Sequence, residues 1–115
     1  MISKNKKIHN LVYRIFKKYK LSSEHAKICA DALINAELVG AYGHGLSRLK
    51  MYCERISKKV INPKPKIKIK KISPSISHVD ANNSIGFVAA DIGIKTAIKH
   101  AQKTGIGLVA VKNSG

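Results

Sequence analysis

The four residues Asn62-Pro63-Lys64-Pro65 constrain this chain most, because the rule of its apolar spacing changes across them. Proline has no N–H to donate and pushes its predecessor towards extended backbone, so neither a helix nor a paired strand runs through the segment. Before it, apolar residues recur at helical intervals. Ile8, Leu11, Val12, Ile15, Phe16 and Tyr19 share one face of a helix over 5–19. Leu21-Ser22-Ser23-Glu24 then reads as a turn and a new start, with a serine accepting a backbone N–H as N-cap and Glu24 suiting the positive end of the helix dipole. Ala26, Cys29, Ala30, Ala32, Leu33 and Ala36 carry this second helix to a stop near Gly40, and its alanines allow a neighbouring helix to come close. A third helix is expected over 46–58 with Leu49, Tyr52, Cys53 and Ile56 inward.

Beyond the prolines, Ile67-Lys68-Ile69-Lys70 alternates as a half-solvated strand does, and its lysines guard an edge against unwanted pairing. Ile-Ser-His-Val-Asp at 76–80 is a second strand, and Asn82-Asn83-Ser84 a turn and cap. Val88, Ile92, Ala97, Ile98 and Ala101 mark a helix from about 87 to 103, stopped by Gly105, before a strand of buried type over 107–112. The fold class is therefore α+β: a helical N-terminal segment, 1–61, then a β-β-α-β segment, 62–115. A buried strand needs neighbours on both sides. Three strands and one helix cover it poorly, so the second segment is expected to be an incomplete α/β unit, truncated or dependent on a partner.

At 115 residues the chain is one domain or a piece of a larger one. No apolar run approaches a membrane span, and the N-terminus lacks the apolar stretch of a secretory signal. Cys29 and Cys53 have no CxxC spacing and read as buried, reduced thiols, so a cytoplasmic location is expected and no metal site. The net charge of +16 raises an alternative, a small basic nucleic-acid-binding or interaction protein. Residues 1–20 and 58–71 each carry seven bases and no acid. Against it, nineteen of the 22 bases are lysine, whereas base-edge recognition favours arginine, and no aromatics interleave the second block. Lysine and isoleucine fill 35 positions, and their A/T-rich codons can account for the lysines. A decayed gene product, unfolded or aggregating, is the third reading.

The local sequence with most chemistry is Gly43-His44-Gly45-Leu46-Ser47-Arg48. His44 would sit at a helix N-terminus, where the dipole disfavours the imidazolium. Arg48 and Tyr52 follow at intervals of four, on one helical face. Together they can form a pocket wall: Arg48 pairs a carboxylate, Tyr52 adds an O–H donor, and His44 exchanges a proton with a hydroxyl. The plain alternatives are a capping His44, an Arg48 paired with Glu37 or Glu54, and a Tyr52 in the core. His9, His25, His78 and His100 lack ligand spacing and read as surface or half-buried residues, and Asp80 reads as an Asx-type turn. No GxGxxG follows a strand, so a Rossmann site is not supported.

Residues 30–61, from Ala30-Asp-Ala-Leu through Gly43-His-Gly-Leu-Ser-Arg48 to Tyr52, Arg55, Ile56 and Ile61, resemble the N-terminal signature of the malate/L-lactate dehydrogenase family. Asn62-Pro63, Val79-Asp-Ala-Asn-Asn-Ser-Ile-Gly86 and Thr104-Gly-Ile-Gly-Leu-Val-Ala-Val-Lys-Asn-Ser114 resemble it in the same order. The resemblance implies NAD- or NADP-dependent interconversion of 2-hydroxy and 2-keto acids in a cytoplasmic homodimer, on a cofactor fold that is not Rossmann. It places His44 in the active site, with Arg48 and Tyr52 holding substrate. Many members carry Ser where this chain has Gly43. The family's expected proton-transferring His follows the Asn-Ser strand end, with most of the nicotinamide site beyond it. The chain thus resembles the N-terminal part of such an enzyme, and the isolated 115 residues are expected to be inactive.

Overall fold

A computed structural model describes residues 4–40, 43 and 45–115. The chain divides into two compact units, one ending at Lys64 and one spanning Pro65–Gly115. This division falls within the proline segment, where neither helix nor ladder can continue.

In the first unit, α1 (Lys4–Lys18) packs on α2 (Ser23–Leu38). Val12 and Phe16 of α1 are buried, as are Ala26, Cys29, Ala30 and Leu33 of α2. The Ser22 side chain accepts the His25 N–H at 3.1 Å, and Glu24 lies in the first turn, so α2 starts as its sequence requires. Leu11, expected inward, is 58% exposed at the rim of the apolar face. The third helical stretch begins as a 3-10 turn, Leu46–Arg48, and continues as α3 (Leu49–Ser57), with Cys53 and Ile56 buried and Leu49 and Tyr52 half-buried. Cys29 and Cys53 are free thiols. Burial pushes the Cys29 thiol up to about 12. Burial also raises Cys53, partly offset by a hydrogen bond with Tyr19.

In the second unit, β1 (Lys68–Ser73) and β2 (Ile76–Ser84) form an antiparallel hairpin, and α4 (Gly86–Thr104) crosses over to β3 (Leu108–Ser114), parallel to β2. The sheet order is β1-β2-β3. Two ladder rows, Lys68-Asp80-Lys112 and Lys70-His78-Ala110, share one face, and alternate residues including Val79, Val109 and Val111 share the other. Gly93 of α4 brings the helix onto that second face: a Cβ there would lie 3.2 Å from Val111 and 3.9 Å from Val109.

Three expectations are corrected here. Asn82-Asn83-Ser84 belongs to β2, not to a turn that ends it. Both asparagines adopt positive φ, +52° and +60°, and make a bulge after which Ser84 pairs again, with Ser114. β3, read as a buried strand, is mostly exposed, because the described sheet has nothing beyond it. His100, read as surface or half-buried, is 8% exposed.

Candidate active site

The loop between α2 and α3 carries the residues that the sequence singles out. His44 lies outside the described residues, as do Ala41 and Tyr42. The residues around it are defined. Helix α2 is followed by Gly40 at φ +80°, a left-handed conformation that glycine adopts without steric cost. The Glu37 carboxylate then reaches across the loop, and its Oε1 accepts the Leu46 N–H at 2.8 Å. This places a negative group at the start of the 3-10 turn and α3, where unpaired N–H groups gather. Gly45 makes room for it: a Cβ at Gly45 would lie 2.5 Å from Oε1 and 2.9 Å from the carboxyl carbon.

Arg48 closes the loop from the other side. Its Nε donates to the Gly43 carbonyl at 2.6 Å, and its backbone N–H donates to the Gly45 carbonyl at 3.0 Å. Neither carboxylate considered as its partner pairs with it. Glu37 is bound to Leu46, and Glu54 lies 3.9 Å from Lys50. Among the described residues no ion pair includes Arg48. The guanidinium is planar by its own delocalisation, and a hydrogen bond through Nε fixes where its terminal nitrogens point, a fork that matches a carboxylate. Tyr52 follows one turn later along α3, half-buried.

The second unit holds two polar clusters whose long-range partners have no local signal in the sequence. Asp80 Oδ1 accepts the Asn82 N–H and the Asn113 side-chain amide, each at 3.0 Å. These bonds, Asn113 first and then Asn82, hold the Asp80 carboxyl below its ordinary value, with Lys112 and Lys68 adding attraction. The Asx turn is the one read from sequence; the bond from Asn113, 33 residues away, had no local signal. The second cluster is buried. His100 Nδ1 lies 2.8 Å from the Pro74 carbonyl, which can only accept, so Nδ1 carries the proton. In the neutral ring, Nε2 then accepts the Ser77 hydroxyl at 2.6 Å. A serine beside a histidine suggests a nucleophile and its base, but Ser77 is 1% exposed and no substrate can reach it. The pair clips α4 to β2.

A depression of about 540 Å³ lies over the open face of the sheet, lined by Lys68, Lys70, His78, Asp80 and Lys112 among others. It can attract anions, but its lysines and His78 are exposed and no donor set converges. Among the described residues no group of three His, Cys, Asp or Glu side chains could hold a metal ion. No helix among them is long and apolar enough to cross a membrane.

Comparison with known proteins supplies what the loop by itself does not. Residues 3–115 match the family model described as malate/L-lactate dehydrogenase. The chain is 37% identical over 114 residues to L-sulfolactate dehydrogenase of Methanocaldococcus jannaschii, covering 99% of this chain and 33% of the relative. It is 43% identical over 107 residues to a malate dehydrogenase of Pyrococcus abyssi, covering 93% and 30%. The solved structure of sulfolactate dehydrogenase from Methanocaldococcus jannaschii superposes with a TM-score of 0.94 at 36% identity, covering 100% of this chain and 33% of that one. The chain thus spans about a third of the length of the curated relatives it matches, and nothing in these comparisons supports the nucleic-acid alternative. With signature, fold and similarity in agreement along its length, the chain belongs to the malate/L-lactate dehydrogenase family.

Proposed function

We propose that these residues form the N-terminal part of an NAD(P)-dependent oxidoreductase that interconverts 2-hydroxy acids and 2-keto acids by hydride transfer. The observation that carries this reading is the clamped guanidinium: Arg48 Nε on the Gly43 carbonyl at 2.6 Å, beside a loop pinned by Glu37. Arg48 pairs the substrate carboxylate, Tyr52 donates to it or to the adjacent oxygen, and His44 lines the same pocket, while the proton of the substrate hydroxyl passes to the family's later His. The nicotinamide, when bound, takes up or supplies the hydride. A Cβ on Gly86, the first residue of α4, would lie 2.6 Å from the Gly115 carbonyl, so this glycine serves a close approach of backbone at the helix start. The cofactor is NAD or NADP, and the working enzyme is a homodimer in this reading.

The test is a chimera in which this chain replaces the matched third of the Methanocaldococcus jannaschii L-sulfolactate dehydrogenase. It should oxidise NADH or NADPH in the presence of a 2-keto acid. Arg48→Lys, which keeps the charge and loses the fork, should lower kcat/KM by about a hundredfold. A folded chimera without turnover, or an R48K variant equal to its parent, would sink the assignment.

A further inference from the structure

Glu37 ties both ends of the loop between α2 and α3. Its backbone carbonyl accepts the Gly40 N–H at 3.2 Å, where α2 stops. Its carboxylate Oε1 accepts the Leu46 N–H at 2.8 Å, where the 3-10 turn begins. That N–H is one of the donors that a helix start leaves without an intrahelical partner. Arg48 lies in the same turn, and its Nε holds the Gly43 carbonyl at 2.6 Å. The turn and the guanidinium it carries are thus referred to α2 through one side chain. Gly45 completes the arrangement. It is not in a left-handed conformation, its φ being −101°. What it supplies is room: a Cβ there would press on Glu37 from Cγ, at 2.8 Å, to Oε1, at 2.5 Å.

We propose that Glu37 is a positioning residue for the carboxylate-binding site and that it acts through Arg48. The bond to Leu46 fixes the first turn of the segment on which Arg48 sits, and with it the direction of the terminal nitrogens. The same bond occupies Glu37, one of the two acids whose spacing would let it pair with Arg48, so the guanidinium stays available to a substrate carboxylate. The acceptor does this and the charge does not: a neutral amide oxygen in the same place takes the Leu46 N–H as well. Gly45 is the second half of the arrangement, because the carboxylate reaches Leu46 across a residue with no side chain. The inference deepens the proposed function and rests on Arg48 receiving a carboxylate.

The test titrates oxamate, an amide analogue of a 2-keto acid whose carbonyl resists hydride, into the chimera described above with NADH or NADPH present. The KM and kcat of a 2-keto acid are measured alongside. Glu37→Ala should weaken oxamate about tenfold and raise KM by a similar factor, with kcat changed by less than about threefold. Glu37→Gln, which keeps the acceptor, should stay within about twofold of the parent. Gly45→Ala should match Glu37→Ala, and the two together should be no worse than either, because both break one bond. The Glu37 carboxylate is the flexible end of a side chain and can swing clear of a new Cβ, so Gly45→Ala folds and carries the test if Glu37→Ala does not. With Arg48→Lys in place, Glu37→Ala should add less than about twofold. Equal oxamate binding by E37A and its parent would overturn the inference, as would an E37Q loss equal to that of E37A, or losses that multiply in the R48K background. Oxamate binding that answers to Glu37 in a chimera without turnover would leave the positioning role standing and remove only hydride transfer. A chimera that does not bind oxamate, or an R48K variant that binds it as the parent does, would remove Arg48 as the carboxylate site and this role with it.

Discussion

At the scale of single residues, the buried His100 shows how a side chain with no motif can hold a fold. Its ring spans two acceptor and donor roles fixed by chemistry: the Pro74 carbonyl claims the Nδ1 proton at 2.8 Å, which leaves Nε2 to accept from Ser77 at 2.6 Å. Thr104 extends the clip, its hydroxyl donating to the His100 carbonyl at 3.0 Å or to that of Ile106 at 2.8 Å. Ser77→Ala removes a donor of little volume and strands Nε2 in a buried site. We expect the variant to lose about 1–3 kcal/mol in urea unfolding, the cost of an unsatisfied buried polar atom. A midpoint equal to the parent's would show that the ring finds another partner and that the clip adds nothing.

At the scale of elements, the join between α4 and β3 depends on two glycines used in different ways. Gly105 caps the helix at φ +87°, and its N–H donates to the Ala101 carbonyl at 2.8 Å. Gly107 serves close approach: a Cβ there would run into the backbone carbonyl of Ala97, on the helix itself. Backbone cannot swing aside as a side chain can, so helix and strand would have to separate. Gly107→Ala should therefore destabilise the chain by about 3 kcal/mol, the upper part of the usual cost of overpacking. Gly105→Ala, strained only by its dihedral, should cost about 1 kcal/mol. Thermal or urea unfolding of the two variants checks the order. Equal losses would mean that the approach of α4 to β3 relaxes freely.

At the scale of the whole molecule, charge dominates. Of six acids, Asp31 and Asp91 already sit 2.9 Å from lysines, while the net charge stays at +16. Exposed pairs of this kind contribute little, and the unbalanced lysines repel one another in any compact state. Screening should thus stabilise the fold. The unfolding midpoint should rise as NaCl goes from about 20 mM to about 300 mM, over which the Debye length falls from about 20 Å to about 6 Å. A flat or falling midpoint would mean that local ion pairs outweigh the net repulsion.

The order and type of the elements were legible because they depend on local spacing: the apolar face of α1, the Ser22 cap, the proline break and the glycine after α4 all act within a few residues of themselves. Arg48 and Tyr52 were legible as neighbours for the same reason, being one turn apart on a helix. What the spacing left open was decided in three dimensions. Glu37 spans nine residues to bind Leu46 and so is not the partner of Arg48, which takes the Gly43 carbonyl. Ser77 meets His100 across 23 residues and Asp80 meets Asn113 across 33. Those meetings follow from sheet register and helix placement, which periodicity does not encode. The exposure of β3 is of the same kind. Its residues specify a buried strand, but burial is a property of what lies beside it, and that only the assembled sheet decides.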